Sequence, residues 1–361
     1  MPSKNLFDKP FDEGTIDKLK IFKDYFKEWL PVFIANPNPL WNEIQIFDLF
    51  AGQGKDIVGN YGSPMIIVSI LNENKELIKK SGVKIKVILN EVEDYFEVMK
   101  GNVKAIEDAN LYKINFCNDE FVNVFNMHYT SMKASANFLF LDQNGIKQIT
   151  ENIFKKIIQL RQTDFLFFIS SSYIKRFGDL ESFKKYLKIT KQDLEGKSYY
   201  HIHRLVLEYY RNVIPDGKKY YLAPFTIKKT SEVYGLIFGT NHIYGLEKFL
   251  NVCWKHDKIT GEANFDIDHE KIDPNKPTLF EEYNVPTKRQ VFEQNLKEKI
   301  FSRELKTDLD VYLFTLGEGF LPKDANKILK ELKENNKIDS DLNLTNSKIH
   351  KITIQSKIKL K

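Results

Sequence analysis

The sequence predicts an α/β protein of the doubly wound kind, in which helices cover both faces of a mostly parallel sheet. Five short runs rich in Ile, Val and Phe are apolar on both faces, as strands buried on both sides are. Stretches with helical periodicity separate these runs, which indicates strand–helix alternation. The first run passes into "IFDLFAGQGKD" (residues 46–56), where an acid interrupts the strand and two closely spaced glycines follow it.

The bulk composition is that of an ordinary globular chain. Of its 361 residues, 42% are hydrophobic and 29% are charged, which is enough apolar material for two domains. The net charge of +5 permits a nucleic-acid partner without requiring one. We expect no signal peptide and no membrane span, because no run approaches roughly 20 apolar residues. Cys117 and Cys253 lie too far apart for a metal or disulfide pattern, so we expect a cytoplasmic protein.

The predicted core begins with an amphipathic helix over residues 15–32, whose large apolar side chains recur at helical spacing. Ser63 and Pro64 then supply a cap residue and a favourable first position for the next helix. The predicted crossover helices span 63–80, 92–100 and 146–160. The five predicted strands span 44–50, 84–90, 111–116, 137–142 and 164–170.

The region after the fifth strand predicts an insertion and a sheet edge. Residues 171–217 are more polar and predict a helical insertion or lid. Two further strands at 224–230 and 232–240, joined by a tight connection, predict an antiparallel pair at the edge of the sheet. A helix over 242–254 follows, and the α/β domain is therefore predicted to span residues 1–256.

The C-terminal part of the chain predicts a winged-helix-like module. Residues 257–287 are polar and predict a linker. In residues 288–361, "LGEGFLPKDANKILKELKENNKI" is typical of a small helix-turn-helix, and "HKITIQSKIKL" alternates as a wing strand would. From Leu342 onward there are five lysines and no acidic side chain. Such modules bind DNA or mediate protein contacts, and both alternatives stay open.

The glycine turn points to a nucleotide-like ligand. Glycines behind a parallel strand let the backbone turn sharply and approach a ligand closely. The pattern is not G-x-G-x-x-G, because Ile57 occupies the third glycine position, and no Walker phosphate loop is present. The pattern D-x-F-x-G-x-G resembles the first motif of S-adenosylmethionine-dependent methyltransferases, which implies cofactor contacts from Asp48, Phe50, Gly52 and Gly54. A purely structural glycine turn is the alternative.

Two further strand ends supply candidate cofactor contacts. A nucleoside ligand needs an acid at the end of the second strand for its ribose hydroxyls, and "VILNEVED" places Glu91 there. The alternative for Glu91 is a solvated carboxylate that opens a helix. The third strand ends in "INFCND", where Asn115 and Phe116 are candidates for holding the adenine.

Several short segments, taken in order, resemble the three-Cys-motif partner (TcmP) family. They include "KLKIFKDYFKEWL", "FDLFAGQG", "FLFLDQNG" and "YGLIFGTNHIYGLEKF", within residues 15–255. The resemblance implies a Rossmann-like methyltransferase core that uses S-adenosylmethionine. It also implies a phage-related or defence context and a three-Cys-motif protein as a partner.

The acceptor side departs from the family pattern. The family usually has Asp-Pro-Tyr-Gly after the fourth strand, where this chain has Asp142-Gln143-Asn144-Gly145, so Asp142 and Asn144 are the candidate catalytic residues. The aromatic residue that would stack on a flipped base is absent from this turn. Tyr173 or Phe177 could replace it. Arg176 could bind a phosphate or a carboxylate, or it could pair with a nearby acid.

We expect no metal site, because His201 and His203 lie two residues apart in a segment that is predicted to be helical.

Two functions remain open for the chain. The first is a methyltransferase that acts on nucleic acid, and the second is a non-catalytic binding subunit with the same fold. A dinucleotide oxidoreductase fits less well, because the third glycine is missing.

Overall fold

The structure is a computed structural model of the full chain. It describes residues 9–36, 38–92, 95–143, 148–172, 174, 192, 195, 199–229, 232–271, 286–340, 342–346, 349–351 and 355–361. The chain divides into two compact units, Met1–Gly245 and Leu246–Lys361. The limits proposed above for the α/β domain, the insertion, the linker and the C-terminal module stay predictions.

The first unit contains a seven-stranded sheet in the order β3-β2-β1-β4-β5-β7-β6. Strands β1 to β5 are parallel, and β7 runs antiparallel to both β5 and β6. This is the predicted α/β fold, with the antiparallel pair at one edge. The strands are β1 (Glu43–Asp48), β2 (Lys84–Asn90), β3 (Lys113–Cys117), β4 (Ala136–Leu141), β5 (Gln162–Ser170), β6 (Tyr221–Lys229) and β7 (Glu232–Thr240).

The described helices follow the predicted alternation, with two differences. The predicted helix over 63–80 is two helices, because the backbone leaves helical geometry at Asn74. A helix over Phe121–Met132 was not predicted. The helices are α1 (Glu13–Ile34), α2 (Ser63–Glu73), α3 (Lys75–Ser81), α4 (Tyr95–Lys104), α5 (Phe121–Met132), α6 (Glu151–Gln159), α7 (Ile202–Val213), α8 (Ile243–His256), α9 (Lys288–Phe301), α10 (Asp308–Gly317) and α11 (Pro322–Glu334).

Alternate residues of the central strands face two separate aromatic layers. On one face, Phe138 of β4 contacts the rings of Phe26 and Trp29 from α1, at centroid distances of 5.7 and 5.5 Å. On the other face, Phe154 of α6 packs 4.7 Å from Tyr210 of α7. Burying each such ring contributes roughly 1.5–3 kcal/mol, so both layers fix the sheet between helices. No helix among the described residues is long and apolar enough to cross a membrane.

The second unit contains the helix-turn-helix that the sequence predicts. Thr307 caps α10, and its side chain accepts from the amide of Asp310. Two isolated β-bridges, Thr307 with Lys357 and Ile338 with Leu360, bring the C-terminal segment against the helices. This arrangement of helices and short bridges is that of a winged helix, with the described part of the tail in the position of the wing.

Candidate active site

The turn after β1 requires glycine at two positions. Gly52 and Gly54 have φ angles of 60° and 89°, in the left-handed region that other residues rarely adopt. The turn then folds back on itself, because the amide of Gly62 donates to the carbonyl of Gly54 at 2.7 Å. A Cβ on Gly54 would contact Met65 at 3.4 Å, inside the protein. Conformation, rather than space for a ligand, is therefore the immediate reason for Gly54.

Asp56 holds the remainder of this loop. Its carboxylate accepts from the backbone amides of Phe11, Val58 and Asn60, at 2.8–3.0 Å. Burial alone would raise the pKa of Asp56, but these hydrogen bonds hold it below its ordinary value. On the other side of the turn, the Asn102 side chain donates to the carbonyl of Gln53 at 2.8 Å. The glycine turn is thus fixed from both sides.

Asp48, the last residue of β1, is the most unusual group at this edge. Its side chain is 0% exposed, and neither carboxylate oxygen has a hydrogen-bond partner among the described residues. Burial raises the pKa of Asp48 to about 7, and the negative charges of Asp142 and Glu91 add to the rise. The Ser63 side chain and the Phe50 amide lie near enough to oppose this rise in part, although neither reaches hydrogen-bond geometry with Asp48. A buried carboxylate without partners is costly, and it indicates a missing ligand group.

Glu91 lies at the end of β2, as the prediction placed it, and it contacts the glycine turn. One carboxylate oxygen accepts from the amide of Gly52 at 2.5 Å, and the other accepts from the amide of Val92 at 3.0 Å. A carboxylate oxygen has two lone pairs, so these bonds leave capacity for ribose hydroxyls. Glu91 is therefore part of the turn as well as a candidate ligand group.

The third strand end is connected to the first by Asn90, which the sequence analysis did not single out. Its side-chain amide donates to the carbonyls of Leu49 and Asp119, at 3.3 and 3.0 Å. The sequence feature that could have indicated Asn90 is a polar residue at the end of an otherwise apolar strand. The two predicted adenine contacts, Asn115 and Phe116, lie half-buried on β3.

Phe50 packs against the core cluster that contains residues of α5 and α6. Its ring stacks on Phe121, the first residue of α5, with centroids 5.3 Å apart. Phe50 therefore anchors the turn against the helical layer of α5.

On the acceptor side, Asp142 follows β4 directly and forms an ion pair with Lys18 of α1. The Lys18 ammonium also lies 5.3 Å from the centre of the Phe168 ring. Gln143 is buried, and its side-chain oxygen accepts from the amide of Gln148 at 3.0 Å. The other predicted acceptor residues, Asn144, Tyr173, Phe177 and Arg176, lie outside the described residues.

No cluster of metal-ligating side chains occurs among the residues that the structure describes. His201 ends a short 3₁₀ helix, whereas His203 lies buried in α7 with its ring against the Thr226 hydroxyl at 2.9 Å. The two histidines are thus in different helical segments.

A family model for the "GMT-like wHTH domain" matches residues 266–342, which is less than half of the chain. The matched stretch includes α9, α10 and α11. No curated protein matches the sequence.

Three solved structures illustrate the fold likeness. Trm1 from Pyrococcus horikoshii in complex with S-adenosyl-L-methionine has a TM-score of 0.39 at 12% identity, over 97% of this chain and 91% of that chain. An O-methyltransferase from Bacillus cereus in complex with SAH gives 0.33 at 11%, over 64% and 91%. Spermidine synthase from Thermotoga maritima gives 0.33 at 15%, over 66% and 63%. All three TM-scores lie below 0.5, so these likenesses alone assign no function.

Proposed function

We propose that this chain binds S-adenosylmethionine where β1 and β2 end, and that it is a methyltransferase that acts on nucleic acid. The observation that supports this most directly is Asp48, a fully buried carboxylate whose two oxygens have no hydrogen-bond partner among the described residues. A ligand with a cationic, hydrogen-bond-donating group would satisfy it. The ammonium of the methionine part is such a group.

The electrostatics of the edge favour a cationic ligand over a dinucleotide. The charges of Glu91 and Asp142 both reach Asp48, and Lys18 pairs with only one of these three acids. A pyrophosphate placed here would meet like charge, and Gly52 already directs its amide to Glu91. S-adenosylmethionine carries positive charge on its sulfonium and its ammonium, so these carboxylates complement it.

In the proposed complex, different residues contact different parts of the ligand. Asp48 and the turn at Gly52 and Gly54 hold the methionine part, and Glu91 accepts from the ribose. Asn115 and Phe116 flank the adenine. Bound S-adenosylmethionine supplies the methyl group: a bond forms from it to the acceptor nitrogen as its bond to sulfur breaks, which leaves neutral S-adenosylhomocysteine. Asp142 stands at the acceptor side, and alignment supplies most of the rate.

The second unit carries a surface suited to the nucleic-acid backbone. Helix α11 occupies the second helical position of the helix-turn-helix and buries Ile328, Leu329 and Leu332 on its inner side. Its outer side carries exposed lysines at helical spacing, Lys323, Lys327 and Lys330, and Lys330 lies 3.7 Å from the carboxylate of Glu334. Such a stripe matches the phosphate contacts that dominate nucleic-acid affinity.

The ordered motifs also support placing the chain among three-Cys-motif partner proteins, with the phage-related context and the partner protein that this implies. A second candidate function follows from the acceptor turn, where Gln143 and Asn144 replace the proline and the aromatic residue. Without them, a non-catalytic subunit that binds the cofactor and a partner is the alternative.

Calorimetric titration with S-adenosylmethionine, S-adenosylhomocysteine and NAD tests the cofactor. We expect the two adenosyl ligands to bind and NAD to fail, and Asp48→Asn to weaken binding of S-adenosylmethionine. Asp164→Asn is the matched control, because Asp164 is an equally buried carboxylate of the same sheet, near the start of β5. NAD binding without binding of the adenosyl ligands would overturn the proposal.

Methyl transfer separates the two candidate functions. Radiolabelled methyl groups should pass from S-adenosylmethionine to nucleic acid if the chain is an enzyme. Cofactor binding without transfer to any nucleic acid would favour the non-catalytic subunit.

A further inference from the structure

The acceptor side of the site holds a cation, Lys18, to which the sequence analysis assigned no function. Lys18 projects from α1 to the end of β4, where it pairs with Asp142 and lies over Phe168. A series of rings supports it, since Phe22 of α1 packs 4.2 Å from Phe140, which packs 5.6 Å from Phe168. The pair remains accessible, because the Lys18 and Asp142 side chains are 18% and 28% exposed.

An aromatic ring stands near this pair. Tyr234 of β7 is paired with Ser170, the last residue of β5, so it lies at the same edge of the sheet as Asp142. Its hydroxyl donates to Glu232 at 2.6 Å. Burial, this hydrogen bond and the charges of nearby acids, Asp142 among them, raise the pKa of Tyr234. Ser170 and Phe168 are two residues apart on β5 and share one face, so the Tyr234 side chain lies on the face of the sheet where Lys18 covers Phe168. The Tyr234 ring is partly buried, and the Lys229 ammonium lies 5.7 Å from its centre.

Anchoring α1 does not require the ion pair. Ten residues of α1 are buried, and the Tyr25 hydroxyl donates to the buried Asp164 at 2.6 Å. A partly exposed ion pair contributes little to stability beside such packing. A function other than stability is therefore needed to explain why Lys18 is directed at the acceptor turn.

We propose that Lys18, Asp142 and Tyr234 form the pocket for the base that receives the methyl group. This proposal rests on the methyltransferase function proposed above. The Asp142 carboxylate accepts from an exocyclic amine, and the Lys18 ammonium donates to the ring nitrogen beside that amine. Adenine and cytosine present this donor–acceptor pair on their Watson–Crick edges. Thymine and uracil have no exocyclic amine. On the Watson–Crick edge of guanine the neighbour of the amine is an N–H donor that Lys18 would oppose, and the acceptor N3 lies on the sugar edge instead.

The same groups also provide for the proton that the amine loses on methylation. When the amine nitrogen bonds to the methyl carbon and the carbon–sulfur bond breaks, the nitrogen must lose one proton. Asp142 accepts that proton and passes it to solvent. The Tyr234 ring stacks on the base and serves as the aromatic residue that the Asp142-Gln143-Asn144-Gly145 turn lacks.

The test uses the full-length protein with two pairs of variants. Lys18→Met removes the charge and keeps the apolar stem, whereas Lys18→Arg keeps the charge. Tyr234→Ala removes the ring, whereas Tyr234→Phe keeps it. Each protein is given radiolabelled S-adenosylmethionine with randomised single-stranded DNA and RNA, and the methylated nucleosides are identified by mass spectrometry. Calorimetry on the same samples measures cofactor affinity.

We expect methyl groups on the amine of adenine or cytosine. Lys18→Met and Tyr234→Ala should raise the acceptor KM roughly tenfold or more at unchanged cofactor affinity and melting temperature. Lys18→Arg and Tyr234→Phe should retain most of the activity. Methylation of thymine, uracil or guanine, variants that behave like the wild type, or cofactor binding without any transfer would overturn this proposal. Failure of the wild type to bind S-adenosylmethionine would instead overturn the proposed function.

Discussion

Replacing Asp48 with asparagine should stabilise the protein in the absence of ligand. Burial raises the pKa of Asp48 from 3.8 to about 7. The unfolded chain therefore loses its Asp48 proton near pH 4, whereas the folded protein keeps it until about pH 7, so wild-type stability falls as pH rises between these values. At 1.36 kcal/mol per pH unit the loss reaches about 4 kcal/mol. Asparagine has nearly the same shape and does not ionise, so the variant should not show this loss.

Urea unfolding at two pH values measures the effect. From the same shift, Asp48→Asn should exceed the wild type by about 2 kcal/mol at pH 5 and by up to about 4 kcal/mol at pH 8. The part of the difference that depends on pH is the diagnostic quantity, because it comes from the carboxylate alone. A variant that is less stable than the wild type at pH 8 would refute the reasoning, as would an equal difference at both pH values.

Asp164→Asn is the matched control in this assay. Asp164 is as buried as Asp48, and burial raises its pKa to about 6. It differs in accepting hydrogen bonds from Tyr25 and Thr240, both at 2.6 Å. The amide group of asparagine would place a donor among those donors, at a cost of about 1–3 kcal/mol. By the same linkage, removing the Asp164 carboxylate relieves about 3 kcal/mol at pH 8, which offsets this cost. Asp164→Asn should therefore change stability at pH 8 much less than Asp48→Asn does.

The same carboxylate gives cofactor binding a pH dependence. A cationic ligand group prefers the ionised form of Asp48, so affinity for S-adenosylmethionine should rise with pH until about pH 7 and then level off. Below that pH the affinity should fall by up to about tenfold per unit, since one proton is displaced. Asp48→Asn should bind more weakly and without this slope.

Three further predictions concern the turn and the second unit. Glu91→Gln keeps the size of the side chain but not its charge, and calorimetry should show affinity for S-adenosylmethionine lowered by about tenfold. Gly62→Ala should lower both the melting temperature and cofactor affinity, because its Cβ would lie 3.1 Å from the Gly54 carbonyl oxygen; Gly101→Ala, with no atom within 4 Å, is the control and should lower neither. Replacing Lys323, Lys327 and Lys330 with glutamate should weaken nucleic-acid binding and reduce its salt slope by about 3, and an unchanged slope would indicate a protein contact instead.

The sheet could be predicted because its strands are buried on both faces. The strands at 84–90 and 232–240 have the predicted bounds, because the ends of the apolar runs and the flanking turn residues give the same limits there. Helix α5 was missed for a physical reason. Between its buried residues Phe125 and Met132 lie Asn, His, Thr and Ser, which are weak helix formers. Packing against the sheet, rather than local propensity, determines that helix.

The candidate site could likewise be predicted from the sequence only in part. Asp48 and Glu91 could be proposed as site residues from the sequence, because a polar residue at the end of a strand can be read from its neighbours. Lys18 could not be found in this way, because its partner Asp142 lies 124 residues further along the chain. Tyr234 reaches the same edge only because β7 runs antiparallel to β5. Contacts made by topology leave no local pattern in the sequence.

The two buried aspartates of the sheet show why Asp48 indicates a ligand and Asp164 does not. Both lie within strands, and burial raises the pKa of each. The fold supplies two donors to Asp164, near the start of β5, which shows that this sheet can satisfy a buried carboxylate where structure requires it. Asp48 is the last residue of β1, beside the glycine turn. Its two oxygens have no hydrogen-bond partner among the described residues, which costs stability in the free protein, and the cationic group of the proposed ligand would satisfy them.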